Sequence, residues 1–436
     1  MKKNLKVAIF VLGLLITNNI QLYSQKFADT SQLYQKLLKI KDISVKPIAT
    51  AGFSTESYEI MFEQPLDHNN PAAGKFQQLI YLAHNGFDKP MVMITEGYTA
   101  YGNYPTELTN YLKSNQLIIE HRYFGKSVPE KMDYQYLTIE QAANDHHKIF
   151  EIFKQIYPKK WLCSGISKGG QTTCYYKYFF PNDADVAVPY VAPLNLAREE
   201  PRVYNFLNTV GTADCRLKLQ NFQINLLKKR TEIKPFLEKY IKAKNLTFSI
   251  GVDSAYELAV FEVAFSFWQW GYLSCENIPD EQATADELFK AFLKVDAMSF
   301  FSDESMTEFR SFFYQAEREI GFYSYDISPF KPFLTEVFNP DFKIFAPDSI
   351  HLQYNPLLVH NVISWIQKHG NNFIFIYGAN DPWSASGIDL IGQTNSLKIV
   401  KPGGFHTARI GNLPREQKQL VLKTLSNWME VPIKTE

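Results

Sequence analysis

The feature that most restricts how this chain can fold is an alternation of short apolar runs with helix-length segments, broken once and then resumed. "MVMITEGY" (91–98), "NQLIIEHRYFG" (115–125), "WLCSGIS" (161–167) and "DVAVPYVAP" (185–193) read as strands buried on both faces. Between two of them "TIEQAANDHHKIFEIFKQIYP" (138–158) carries apolar residues at helical spacing and stops at a proline. Ahead of them "SYEIMFEQPLDH" and "FQQLIYLAHNG" predict a pair of antiparallel strands. From about residue 196 to 349 strand signals nearly vanish and helical patterns rich in Phe, Leu and Lys take over. The alternation then returns as helix "LLVHNVISWIQKHG", strand "NFIFIYGAND", helix-like "SASGIDLIG", strand "LKIVKP" and helix "REQKQLVLKTLSNWME". The expected class is α/β, a mainly parallel sheet covered by helices on both faces. One such domain, 25–195 and 350–436, interrupted by a helical insertion at 196–349, accounts for the order better than two consecutive domains.

The chain is long enough for a large core, and its 45% hydrophobic and 15% aromatic content excludes compositional disorder. Lys+Arg and Asp+Glu both number 45, for a formal net charge of +0. That balance argues against broad electrostatic binding to nucleic acid or to an anionic membrane. The densest basic run, "KKR" at 228–230, reads as the solvated face of a helix.

At the amino terminus a basic "MKKNLK", an apolar "VAIFVLGLLI" and a polar "TNNIQLYSQ" have signal-peptide layout over residues 1–24. The apolar core is short for a membrane span, so an uncleaved anchor is the weaker alternative. An exported mature chain is expected to begin near Gln25 and to act in the periplasm or outside the cell. Four cysteines then allow three full pairings, and any bridge is expected between Cys215 and Cys275.

Gly165-Ile166-Ser167-Lys168-Gly169 fits G-x-S-x-G, the sharp turn that presents a nucleophilic serine between a strand and a helix. Its neighbours must be small, because the turn runs close to adjacent strands. The following N–H, that of Lys168, would face a developing oxyanion. A serine hydroxyl needs a base to take its proton and a carboxylate to orient that base. Asp381 follows the strand "NFIFIYGAND", and His406 lies after the next strand in "KPGGFHTARIG". Serine, acid and base therefore occur in the order this architecture requires, each at a strand end. Taken singly, the aspartate reads as a helix cap and the histidine as a solvated loop residue; together they read as a triad. Asp389 is a poorer acid, since it falls inside the helix-like segment.

A second oxyanion donor is expected from the backbone of Gly97 or Tyr98. Glu96 and Glu120 sit at strand ends facing the same rim, as site carboxylates or as plain surface charges. "DHH" at 145–147 is not expected to bind metal, because adjacent histidines on a helix point about 100° apart. No cofactor is called for.

At "TEGY", "EHRYFG", "QAANDHH", "GISKGGQT", "YVAP", "VGTADCR", "YGANDPW" and "GGFH" the chain resembles serine peptidase family S37, the secreted prolyl tri- and tetrapeptidyl aminopeptidases. It is more distantly similar to the prolylcarboxypeptidase and dipeptidyl-peptidase II group. The resemblance spans roughly residues 55–410 and implies an α/β-hydrolase with a helical cap. It carries nucleophile, acid and base onto Ser167, Asp381 and His406, and implies peptide substrates with a free N-terminus. Releasing a tripeptide requires an ammonium anchor about 9–10 Å from the serine, at roughly 3.3 Å per extended residue. Glu120, or Glu199 and Glu200, have better reach for this than Glu96. A prolyl ring needs an apolar slot with an aromatic wall, for which Trp383, Tyr98 and Tyr204 are candidates.

Two rival readings follow from the same residues. A general carboxylesterase or lipase would use the same triad on acyl esters. A catalytically inactive, peptide-binding relative would have no need of the serine's special geometry.

Overall fold

In a computed structural model describing residues 31–50, 52–295, 297–347 and 352–434, a single sheet runs through the molecule. Its strands are β1 (Ile43–Pro47), β2 (Glu56–Pro65), β3 (Lys75–His84), β4 (Met91–Thr95), β5 (Asn115–Ile119), β6 (Trp161–Ile166), β7 (Val186–Tyr190), β8 (Ile374–Gly378) and β9 (Leu397–Lys401). Their spatial order is β1-β2-β3-β5-β4-β6-β7-β8-β9. The first three strands are antiparallel, and β3 meets β5 antiparallel. From β5 to β9 every pairing is parallel. This is the expected α/β class. The expected signal peptide lies outside the described residues.

Strands β4, β5, β7 and β8 are buried at every position because both faces of the sheet are covered there, whereas the edge strand β9 carries the partly exposed Lys398 and Lys401. On β4, Met91 and Met93 face one core and Val92 and Ile94 the other, as the two-residue period of a strand dictates. Helices α1 (Gln32–Leu37), α3 (Ile139–Lys154), α4 (Lys168–Phe179) and α12 (Leu357–His369) contribute to the first core. On the opposite face α2 (Glu107–Leu112) and α13 (Arg415–Met429) supply Leu108, Leu112, Val421, Leu422 and Leu425. Several of these helices start on side-chain caps: Thr106 accepts from Thr109 N–H and Thr138 from Gln141 N–H.

Between β7 and β8 the named elements are helical. They are α5 (Pro201–Leu207), α6 (Ala213–Lys228), α7 (Arg230–Lys244), α8 (Val252–Trp270), α9 (Ala285–Lys294), α10 (Ala297–Phe300) and α11 (Asp303–Gln315). A Cys215–Cys275 disulfide ties the first turn of α6 to the segment after α8, while Cys163 and Cys174 are buried thiols. Among the described residues no helix is long and apolar enough to cross a membrane.

Two local expectations are corrected. "SASGIDLIG" does not form an α-helix: a 3-10 turn over Pro382–Ser386 gives way to irregular chain. Gly387 packs against the Tyr377 ring, 2.7 Å from where a Cβ would sit, and the Tyr377 hydroxyl accepts from Ile388 N–H. These contacts to β8 outweigh weak helical propensity. The "KKR" run is not one solvated helix face. It spans the junction of α6 and α7, where Arg230 bonds Glu257 at 2.8 Å and the carbonyl of Phe333.

Candidate active site

Ser167 stands between β6 and α4 with φ 56° and ψ −119°, a conformation L-residues avoid. The turn around it leaves no space for side chains. A Cβ on Gly165 would lie 2.2 Å from the Gly169 carbonyl oxygen, and one on Gly169 would lie 2.6 Å from that of Thr95. The strain is held in place by bonds on both sides. Ser167 N–H donates to Tyr190 O on β7 at 2.9 Å, Gln171 N–H donates back to Ser167 O, and Thr95 Oγ1 lies 2.7 Å from Thr173 Oγ1.

Asp381 follows β8 and is fully buried; His406 follows β9 and is 5% exposed. His406 Nδ1 donates to Asp381 Oδ2 at 2.8 Å. The other oxygen, Oδ1, accepts from Trp383 N–H at 3.2 Å, so the aspartate also caps its own short turn. The two loops sit directly against each other: Asn380 N–H donates to Gly404 O at 2.7 Å, and a Cβ on Gly378 would lie 2.4 Å from Phe405 O. The insertion adds a third support. Gln269 O, at the end of α8, accepts from His406 N–H at 2.8 Å, and the Trp270 ring stands edge-on to the imidazole at 5.5 Å. With Nδ1 engaged, Nε2 is the nitrogen left for proton transfer.

Gly97 and Tyr98 follow β4 and press on the elbow: a Cβ on Gly97 would lie 2.6 Å from both Gly169 N and Lys168 Cβ. Tyr98, Ser167, Asn195, Phe312, Phe322 and Trp383 are among the residues around a hollow of about 20 Å³. Trp383 packs on Phe322 and Tyr323, and Tyr98 on Phe309 and Phe312. Helix α11 and the Phe322–Tyr323 segment thus roof the serine. Tyr204 is half-buried elsewhere, on a separate cavity of about 290 Å³ inside the insertion that it shares with Phe265, Trp268 and Tyr323. The sequence carries no signal for Phe312 or Phe322, because the insertion has no motif that tells a lining aromatic from a core one, and none for Asn195, a lone amide in the loop after β7.

The four carboxylates differ in how they are held. Glu120 is fully buried and braces the loops around it, accepting from the N–H groups of Ala100, Lys126 and Ser127 and from Ser127 Oγ. Glu200 caps α5 and pairs with Arg202 at 2.7 Å; burial pushes its carboxyl up, but Arg202 and backbone N–H groups bring it below the usual range. Glu199 pairs with Arg198 at 2.6 Å on the surface. Glu96 is partly buried, which raises its carboxyl, and accepts from the Tyr104 hydroxyl at 2.7 Å.

"DHH" is spent on structure. Asp145 takes two bonds from buried Arg122, at 2.6 and 2.7 Å, and one from His68. His146 donates to Ala142 O, and His147 bonds Asp183.

The chain matches the PS-10 peptidase S37 family over residues 28–435. It belongs to the S37 peptidase family. Across 413 residues it is 32% identical to a prolyl tri/tetrapeptidyl aminopeptidase of Streptomyces mobaraensis, covering 93% of this chain and 86% of that one. A plant protein of Arabidopsis thaliana named "Probable serine protease EDA2" is 25% identical over 247 residues, 51% of this chain and 50% of its own. Among solved structures, a proline iminopeptidase of Mycobacterium smegmatis is 10% identical with a TM-score of 0.41, over 85% of this chain and 99% of its own. This S37 member is a serine peptidase, and its substrates are peptides.

Proposed function

We propose that this serine peptidase is exported and releases short, tripeptide-like fragments from free peptide N-termini, with proline accepted at the cleaved position, through Ser167, Asp381 and His406. The observation that carries the reading is the buried Asp381–His406 hydrogen bond at the ends of β8 and β9, on the same sheet as the strained Ser167. In this reading Ser167 Oγ attacks the scissile carbonyl while His406 Nε2 takes its proton. The negative oxygen is met by the Lys168 N–H and by a donor from Gly97 or Tyr98. His406 passes the proton to the departing amine, and water releases the peptide from the acyl-enzyme by the reverse transfers. Asp381 keeps the imidazole in the tautomer that leaves Nε2 free to accept.

Among the candidate carboxylates, Glu120, Glu199 and Glu200 are engaged by backbone donors or by arginine, whereas Glu96 is held by a neutral phenol. Contrary to the reach expected from the sequence, we assign the substrate ammonium to Glu96, because the other three carboxylates are already engaged. In the same proposal residues 1–24 are a cleaved signal, 196–349 a helical cap, and 25–195 with 350–436 the hydrolase domain.

The test compares Ala-Ala-Pro-anilide, its N-acetylated form and a nitrophenyl acyl ester. The free peptide should be cleaved far faster than the acetylated one, and Glu96→Gln should narrow that gap through KM. Replacing Ser167, Asp381 or His406 by Ala should lower kcat about 10⁴-fold or more. Equal turnover of free and blocked peptides, with faster ester cleavage, would instead identify an esterase. A failure of fluorophosphonate to label Ser167 would remove the catalytic reading altogether.

A further inference from the structure

Lys168 follows the serine, and its side chain does something unusual for a lysine. It is 4% exposed, and its Nζ donates to the Gly97 carbonyl at 2.6 Å. The ring centroids of Tyr98 and Phe124 stand 5.3 and 5.0 Å from that nitrogen. Among the described residues it forms no ion pair with a carboxylate, and burial pushes the amine well below the ordinary lysine range. A buried amine without a counter-charge is costly, so the fold spends stability on this one hydrogen bond.

The peptide it grips is the one that matters. The Gly97–Tyr98 bond is trans, so its C=O and the Tyr98 N–H point in opposite directions from one plane. Fixing the carbonyl fixes the N–H. Gly97 has to be glycine, since a Cβ there would strike Gly169 and Lys168, but glycine leaves the adjoining peptide plane easy to rotate. Released from Lys168, a buried carbonyl would turn to find another donor and carry the N–H with it.

We propose that the Lys168 side chain is a positioning residue that sets the second oxyanion donor: by holding Gly97 O it keeps the Tyr98 N–H aimed at the carbonyl attacked by Ser167. Residue 168 then shapes the oxyanion hole twice, through its own N–H and through the peptide its side chain clamps. This inference rests on the serine-nucleophile reading above.

The test uses Lys168→Met, which keeps an apolar stem, and Lys168→Gln, whose amide is too short to reach Gly97 O, in the full chain. Rates are taken per folded site, counted by exhaustive fluorophosphonate labelling. Losing a correctly aimed donor predicts a fall in kcat on Ala-Ala-Pro-anilide of about 10- to 1,000-fold, with KM within about twofold. Affinity for a peptide boronate, which presents a tetrahedral oxyanion, should fall in parallel. Affinity for the uncleaved peptide, measured in a Ser167→Ala background, should stay unchanged. A thermal midpoint equal to or above wild type in Lys168→Met would accompany these losses. The proposal is overturned if both variants keep kcat within about threefold of wild type, or if ground-state affinity falls as much as boronate affinity. Wild-type turnover unaffected by Ser167→Ala would reject the nucleophile reading itself, which separates the two failures.

Discussion

At the scale of single residues, the buried carboxylates show how much environment decides. Glu262 on α8 is 5% exposed and accepts from Ser266 Oγ, Tyr323 OH and Tyr325 OH at 2.7–2.8 Å. Burial raises its carboxyl to about 7 despite those donors. A folded value above the unfolded one means that the folded state binds the proton more tightly. Its contribution to stability is complete below about pH 4.5 and is lost as pH rises through about 7, at about 1.4 kcal/mol per tenfold displacement of the equilibrium. Thermal midpoints measured from pH 4.5 to 8 should fall more steeply for wild type than for Glu262→Gln; parallel curves would refute this assignment. Ser167, Asp381 and His406 could be proposed from the sequence because each follows an apolar run whose end is easy to read. Glu262 and the Lys168 side chain could not, since their character comes from partners distant in sequence.

At the scale of elements, the parallel strands were legible because burial on both faces forces a continuous apolar run. The 384–392 segment departs from its helix-like pattern because Gly387 and the Ile388 N–H answer to Tyr377 across the fold rather than to helical periodicity. Within the insertion, the Cys215–Cys275 bridge closes a loop with a sequence separation of 60. Replacing both cysteines by serine should destabilise the protein by about 2–5 kcal/mol, because a long loop regains its freedom in the unfolded chain. Denaturant titration of the double variant checks this, with reduced wild type as a second arm. Unchanged midpoints in both would show that the bridge holds nothing.

At the scale of the whole molecule, the fully buried Arg122–Asp145 pair joins the segment after β5 to α3, and His68 after β2 completes the join. Asp145→Asn should cost about 3–5 kcal/mol, because it leaves a buried guanidinium without its charge partner. Replacing both partners with apolar residues should cost less; a denaturant midpoint for the double variant below that of Asp145→Asn would contradict this account. The sequence alone determined the α/β alternation, the place of the helical insertion in the chain order, and which serine, aspartate and histidine stand at strand ends. Those are consequences of local periodicity and turn chemistry, which a chain cannot avoid displaying. Only the tertiary structure decided that α11 and Phe322 close over the serine, that the end of α8 braces His406, that Asp145 serves Arg122, and that Lys168 reaches Gly97. Such contacts join residues with no fixed spacing, and the energy that selects them arises only when the whole core packs at once.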